Sequence, residues 1–131
     1  MRYAPVCAVM LFAVSVAVAQ EPSGAVAAED AWRSKGSEQK VCGQIVDTSY
    51  ATSIPNAPTY LYLDRPRPEQ VFTVEIPSAK RDLFGDNPEK SLRGKSICVI
   101  AKIESDGMDG AVDRRHRAKV LIEEEEQITV R

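Results

Sequence analysis

The residues of this sequence that could do chemistry include one histidine set among arginines. His116 lies in the segment DRRHRAK, residues 113–119. The neighbouring positive charge favours a neutral imidazole, but no adjacent carboxylate orients the ring as a general base requires. The sequence also lacks CxxC, GxSxG and phosphate-loop motifs. It therefore predicts a protein that is not an enzyme, with no catalytic residue and no cofactor.

Two acidic clusters are the candidates for a metal site. Asp106, Asp109 and Asp113 fall in one loop, and four consecutive glutamates occupy residues 123–126. The oxygen ligands of an EF-hand calcium loop follow a fixed spacing that these aspartates do not match. A solvated hairpin turn explains the aspartates, and the glutamates at a strand end discourage edge-to-edge pairing of sheets. We therefore expect no metal ion.

Aromatic residues point instead to ligand binding. Tyr60 and Tyr62 alternate with leucines in TYLYLD, residues 59–64, so their rings should lie on the solvent side of a strand. Exposed rings can stack on nucleic-acid bases, at about 1–3 kcal/mol per base. Phe72 in the next strand is a further candidate ring. It shares its face with aliphatic residues, however, and this favours a core position.

Cations near two predicted loops form a local basic cluster. The candidate ligand-binding cations are Arg65, Arg67, Arg114, Arg115, Arg117 and Lys119. The whole chain has a formal net charge of −2, so its overall charge does not predict a nucleic-acid or membrane partner. A basic cluster beside aromatic rings is typical of a nucleic-acid surface, whereas a solvated loop explains the same arginines equally well.

Residues 1–19 have the features of an export signal. Arg2 precedes an uncharged apolar stretch that ends in AVA at residues 17–19, and signal peptidases cleave after such small residues. The stretch is short and rich in alanine for a membrane span, which needs about 20 strongly apolar residues. A retained anchor is the alternative. Cleavage between Ala19 and Gln20 leaves 112 of the 131 residues, and loss of Arg2 makes the net charge −3.

Alternation of apolar and polar residues predicts the elements that carry these side chains. Residues 20–39 read as a flexible leader, with a short helix around Trp32 as the alternative, and residues 40–131 read as one small domain. Short helical turns are predicted between the third and fourth strands, and Gly43 is typical of a bent or bulged strand. Five strands are predicted, at about residues 40–51, 59–64, 71–76, 95–104 and 117–124, with a further edge segment at 127–131.

This order of elements is that of the OB-fold, an all-β five-stranded barrel with a helix between strands three and four. The segments VCGQIVD, PTYLYLDRPRPEQVFTVEI and LFGDNPEKSLRGKSICVIAKI resemble a family of small bacterial exported proteins with an OB domain of the nucleic-acid-binding type. The resemblance covers residues 41 to about 130. The chain departs from the family pattern at Asp64 and Ala101, which replace glycine, and at Arg67, which replaces tyrosine.

The resemblance implies a disulfide and a ligand-binding face. Strands one and four are neighbours in an OB barrel, which would bring Cys42 beside Cys98. A bridge is the simplest state of two cysteines in an exported chain, and two buried thiols are the alternative. The family binds its ligands on strands two and three. Two functions stay open: a periplasmic or secreted module for single-stranded nucleic acid, or an envelope module that binds a protein or small ligand.

The export signal makes a direct prediction. The protein recovered from the periplasmic or secreted fraction should begin at Gln20 or within a few residues of it, because the small residues before this position fit the signal peptidase subsites. N-terminal sequencing measures the cleavage point. A membrane-embedded product that starts at Met1 would contradict the prediction.

Overall fold

A computed structural model of the chain describes residues 24–106 and 116–131, together with residues 2, 3, 5 and 13. The predicted cleavage site at Ala19 and Gln20 lies outside the described residues. The same is true of Arg114 and Arg115 and of two of the loop aspartates, Asp109 and Asp113. Among the described residues, no helix combines the length and the hydrophobicity that a membrane span requires.

The described chain is mostly β-structure, arranged as a curled, open sheet that forms a half-barrel. Its seven strands are β1 (Ala25–Ala27), β2 (Glu38–Tyr50), β3 (Thr59–Leu63), β4 (Phe72–Ile76), β5 (Ser96–Lys102), β6 (Ala118–Leu121) and β7 (Ile128–Val130). The helices are short: 3₁₀ helices at Ala28–Ser34, Ser78–Phe84 and Glu125–Gln127, and one α-helix, α1 (Pro88–Ser91). The all-β class and the helical connection between the third and fourth predicted strands are therefore confirmed.

The sheet differs from the expected five-stranded closed barrel. Its strand order is β6-β4-β3-β2-β5-β7, and β1 pairs in parallel with β2 outside this path. The extra strand β1 and the 3₁₀ helix that follows it arise from the predicted leader. Ala28 and Ala31 of this helix are fully buried, so the folded unit begins within residues 20–39. β7 is formed by the predicted edge segment and pairs with β5.

β2 is the long strand that joins the two halves of the sheet. Its residues 38–44 pair with β5, and its later residues pair with β3. The register shifts between Ile45 and Asp47, so the strand carries a bulge that bends it. Gly43 precedes the bulge, and a Cβ at this position would lie 3.0 Å from the carboxylate of Asp64. The close approach of Asp64 explains why glycine is required there.

The hydrophobic core lies on the inner side of the curled sheet, where alternate residues of every long strand point. Phe72 is 0% exposed, so its ring belongs to the core and lies away from any ligand, which corrects its inclusion among the candidate ligand-binding residues. The largest fully buried side chains besides Phe72 are Val41, Ile45, Leu61, Leu63, Val74, Ile76, Ile97, Val99, Ile103, Val120 and Ile122.

The disulfide between Cys42 and Cys98 is confirmed. The two residues are direct cross-strand partners on β2 and β5, and their Cα atoms are 4.1 Å apart. The bridge spans a sequence separation of 56 residues. It therefore links an early strand to a late one and restricts the unfolded chain over most of the domain.

Removing the bridge should lower the stability substantially. We expect the double variant Cys42→Ser/Cys98→Ser to lose about 4 kcal/mol of unfolding free energy, which is the chain-entropy value for a loop of this size. Because about 1 kcal/mol shifts the melting temperature of a small domain by about 4–8 °C, thermal unfolding followed by circular dichroism should detect the loss. The wild-type protein under reducing conditions should match the variant. Equal melting temperatures with and without the bridge would contradict the expectation.

Candidate ligand-binding groove

The outer face of β3, β4 and β6 carries two rows of side chains that run across the strands. Strand pairing defines a first row of Ser49, Tyr60, Glu75 and Leu121, and a second row of Asp47, Tyr62, Thr73 and Lys119. The residues between these positions point to the opposite face, and Leu61, Val74 and Val120 are fully buried there. The alternation of the sequence therefore separates a core face from a face with polar and aromatic groups.

A groove lies over these rows. It consists of two adjoining cavities of about 360 and 220 Å³, which share Ile54, Tyr60 and Glu75 as lining residues. We call the larger cavity the apolar half, since much of its wall is Pro55, Pro58, Pro77 and Leu121. We call the smaller cavity the polar half, and its remaining lining residues are Tyr62, Gln70, Thr73, Asp106 and Lys119.

The turn between β2 and β3 builds the apolar wall. Asn56 and Ala57 adopt positive φ angles of 68° and 34°, and asparagine tolerates this region better than most residues. The backbone amide of Ser78 donates to the carbonyl of Asn56 at 3.2 Å, which ties the turn to the chain after β4. Ile54 remains 48% exposed at the edge of the groove. The wall is therefore fixed by the backbone and presents an apolar side chain to solvent.

The floor of the groove carries an ion pair and a tyrosine hydroxyl. Lys119 Nζ lies 3.6 Å from Glu75 Oε2. Burial raises the pKa of Tyr60 above its ordinary value of 10.0, and the charge of Glu75 and a hydrogen bond with it act in the same direction. The Tyr60 hydroxyl consequently keeps its proton at neutral pH. Glu75 therefore lies between one cation and one hydrogen-bond donor of the protein itself.

The polar half contains an acceptor that the described residues leave unused. The side-chain oxygen Oε1 of Gln70 is buried and has no hydrogen-bond partner among them. A buried acceptor without a partner costs about 1–3 kcal/mol, and such groups are rare in folded proteins. A ligand that donates a hydrogen bond to this oxygen would remove the cost.

Arg67 covers one end of the second row. Its Nε donates to Asp47 Oδ2 at 2.9 Å, its Nη2 donates to Asp47 Oδ1 at 3.2 Å, and its guanidinium lies 5.2 Å from the ring centroid of Tyr62. Tyr62 is only 6% exposed as a result, so the expectation of an accessible ring was wrong for this residue. Tyr60 is half-buried and is the ring that remains open to a ligand.

The other described cations of the predicted basic cluster also have partners within the fold. Arg65 Nη2 lies 2.7 Å from Glu29 Oε1, and Arg117 Nη2 donates to the carbonyl of Pro68 at 2.8 Å. Arg65 and Arg117 line a separate cavity of about 270 Å³ beside His116. Of the predicted cations that the structure describes, only Lys119 lines the groove. The structure thus brings Tyr60, Tyr62 and Lys119 together and places the described arginines elsewhere.

His116 and the acidic residues were the candidates for a general base and for a metal site. The ring of His116 packs on Trp32, with the ring centroids 4.3 Å apart. Residues 24–106 and 116–131 contain no group of three or more His, Cys, Asp or Glu side chains that could hold a metal ion. The described lining of the groove supplies apolar surface, hydrogen-bonding groups and charge.

Sequence reasoning missed most of the lining residues of the groove, and among them Ile54, Gln70 and Glu75. The alternation in VFTVEI, residues 71–76, already separates Thr73 and Glu75 from the core face, and this signal could have identified Glu75. Ile54 lies in a proline-rich turn, and Gln70 lies in an irregular connection. No periodic pattern predicts which way a side chain points in such segments.

Comparisons of the chain with protein-family models, with curated proteins and with solved structures found no match. They consequently assign no family. The resemblance to small exported OB-fold proteins remains an interpretation of the residues and of the strand order. The contacts described above therefore carry the argument about function.

The ion pair between Asp47 and Arg67 makes the stability of the fold depend on pH. Hydrogen bonds from Arg67 are the main cause that lowers the pKa of Asp47 from 3.8 to about 2, against the opposing effect of burial. A depressed pKa stabilises the fold while the carboxylate is ionised. This contribution should be complete above about pH 5 and should disappear as the pH falls to about 2.

Thermal unfolding of the wild type and of Asp47→Asn at several pH values tests this. The difference in melting temperature should be largest near neutral pH and should shrink steeply below about pH 4. Asp30→Asn is the control, because it removes an exposed carboxylate 3.7 Å from Arg33 and should have little effect at any pH. A difference in melting temperature for Asp47→Asn that does not change with pH would contradict the lowered pKa of Asp47.

Proposed function

We propose that the chain is an exported binding module of the OB type that binds an extended segment of another protein in the groove, without catalysing a reaction. The observation that carries this proposal is the groove itself. It combines an exposed isoleucine, a wall of prolines and an accessible tyrosine with a polar end that contains an unused acceptor. Such a mixture of apolar anchors and a few polar groups is typical of ligand sites.

The topology supports the OB assignment. The consecutive strands β2, β3 and β4 pair as antiparallel neighbours, β4 pairs in parallel with β6, and a helical connection precedes β5. An isolated antiparallel bridge joins Glu104, just after β5, to Lys119 on β6. This bridge lies between the strands that would have to meet in a closed barrel. β3 and β4 then correspond to the second and third strands of an OB-fold, which are the strands that bind ligands.

The disulfide supports export. Disulfides persist in oxidising compartments and are rare in the reducing cytosol. A cross-strand bridge between Cys42 and Cys98 is therefore what a periplasmic or secreted protein would retain. The apolar N-terminal stretch predicts the same compartment.

The charges favour a protein segment over nucleic acid. Among the residues that the structure describes, the ionisable side chains of the polar half are Glu75, Asp106 and Lys119, and Lys119 is paired with Glu75. Phosphate groups would meet carboxylates in this groove, whereas nucleic-acid sites depend on cations that release counterions. A protein segment instead gains from burying apolar side chains against Ile54 and the prolines. Tyrosine is also enriched at the centres of protein interfaces.

The proposal predicts an effect of Ile54 that an equally exposed isoleucine elsewhere does not have. The protein from the exported fraction is used to select binders from a library of short random peptides, and their affinities are measured by fluorescence anisotropy. Ile54→Ala should weaken the selected peptides about 5- to 30-fold, because truncating an interface anchor costs about 1–2 kcal/mol. Ile100→Ala is the matched control, since Ile100 is 45% exposed on β5 and lines a different cavity.

Two outcomes would count against this function. Equal affinities for wild type and Ile54→Ala would show that the peptides bind outside the groove. Binding of a labelled oligonucleotide, with affinity that falls steeply with salt by about 0.7 logarithmic units per phosphate contact, would replace the protein segment with single-stranded nucleic acid. The affinities of the selected peptides and of the oligonucleotide are therefore measured side by side at several salt concentrations.

A further inference from the structure

We propose that the apolar half of the groove is a pocket for an aromatic side chain, which anchors the extended segment that the groove binds. This inference rests on the proposed function and names the chemical class of the anchor. The pocket lies between two walls, the turn between β2 and β3 and the segment after β4. Its floor is the first row of the sheet, where Tyr60 pairs with Glu75 and Glu75 pairs with Leu121.

The walls of the pocket consist of side chains with little freedom to move. The prolines and the alanine that form them are Pro55, Pro58, Pro77 and Ala79. Proline and alanine lose almost no rotamer freedom when a ligand packs against them. The backbone amide of Ala51 also donates to the carbonyl of Pro58 at 2.9 Å, which closes the first wall at its base. A cavity of about 360 Å³ with such walls binds at a low cost in conformational entropy.

The charge of the pocket is matched within the protein. Glu75 is the one charged side chain that lines the apolar half among the residues that the structure describes. Its Oε2 lies 3.6 Å from Lys119 Nζ, and its carboxylate forms a hydrogen bond with the Tyr60 hydroxyl. A charged ligand side chain would lose hydration in this pocket without an uncommitted counter-charge to replace it. An uncharged apolar side chain is therefore the one that complements the pocket.

The ring of Tyr60 favours an aromatic anchor over an aliphatic one. Tyr60 is half-buried and lines both halves of the groove. Aromatic rings prefer offset or edge-to-face pairs, which add affinity beyond the burial of area. A ligand ring would extend the pair that Tyr60 already forms with Tyr62, whose ring centroids are 6.3 Å apart with planes inclined by 34°. Aromatic side chains also bury a large area while only two torsion angles become ordered.

The test compares labelled peptides of the form SASXSAS, in which X is tryptophan, phenylalanine, cyclohexylalanine or alanine. Cyclohexylalanine has nearly the outline of phenylalanine but no π-system, so burial of apolar area alone does not favour phenylalanine over it. Anisotropy titrations with the exported protein should rank tryptophan and phenylalanine above cyclohexylalanine by about 2- to 12-fold. Cyclohexylalanine that binds as tightly as phenylalanine would overturn the inference.

Variants of Tyr60 locate the aromatic contact. Tyr60→Phe keeps the ring and should keep the preference for phenylalanine over cyclohexylalanine. Tyr60→Leu removes the ring and should abolish this preference, and circular dichroism checks that both variants are folded. A preference that survives Tyr60→Leu would show that Tyr60 does not provide the contact, and the inference would fall.

Filling the pocket is an independent test. Ala79 is exposed and lines the second wall, so Ala79→Leu should obstruct the pocket and weaken the tryptophan peptide at least about tenfold. Lys80→Leu is the matched control, because Lys80 is exposed and is not among the lining residues of either half. It should change the affinity by less than about twofold. Equal losses in the two variants would place the peptide outside the pocket and contradict the inference.

The experiments also separate this inference from the proposed function. If phenylalanine and cyclohexylalanine peptides bound equally and Ile54→Ala weakened both, the groove would remain a binding site and the aromatic preference alone would fall. If none of these short peptides bound, the peptides selected from the library would decide, since they should be enriched in aromatic residues. Selected peptides without aromatic residues would overturn the inference, and selected peptides that also ignored Ile54→Ala would overturn both proposals.

Discussion

The bend in β2 is the constraint on which the rest of the structure depends. One strand pairs with β1 and β5 over its first half and with β3 over its second half. The bulge between Ile45 and Asp47 permits this change of partner, because it adds a residue and increases the local twist. The disulfide fixes the first half to β5, and the hydrogen bonds of Asp47 fix the second half to the connection after β3. Together they set the position of the groove floor.

The pairing of Asp47 with Arg67 decides which predicted ligand residues remain available. Burial disfavours an ionised carboxylate, yet the pKa of Asp47 falls, so the hydrogen bonds from Arg67 outweigh the loss of solvation. The same guanidinium covers the ring of Tyr62. One interaction therefore pairs a predicted ligand-binding cation with a carboxylate and covers most of a predicted ligand-binding ring. Tyr60 lines both halves of the groove and is the more exposed of the two rings.

Local patterns predicted the strands and the helical connection, because these depend on alternation and on turn residues. The disulfide was expected from the strand order of the resemblance and from the two cysteines that remain after export. Local patterns did not predict β1, since a three-residue strand forms only where β2 offers a free edge. The burial of Tyr62 escaped prediction for a similar reason, because the residue that covers it lies in an irregular connection. Asp64 lies between the features that the sequence predicted and those that it did not. It replaces a glycine of the family pattern, and its φ of 65° is one that aspartate tolerates.

Folding separates the basic cluster that the sequence shows. The carboxylates that pair with Arg65, Arg67 and Lys119 come from three distant parts of the chain, namely Glu29, Asp47 and Glu75. Sequence proximity shows the cations as a cluster, whereas folding distributes them among partners and leaves acceptors at the polar half. Local density of one charge in a sequence consequently says little about the charge of a surface. In this fold the described arginines of the predicted cluster lie outside the groove, and Lys119, which lines it, is paired with Glu75.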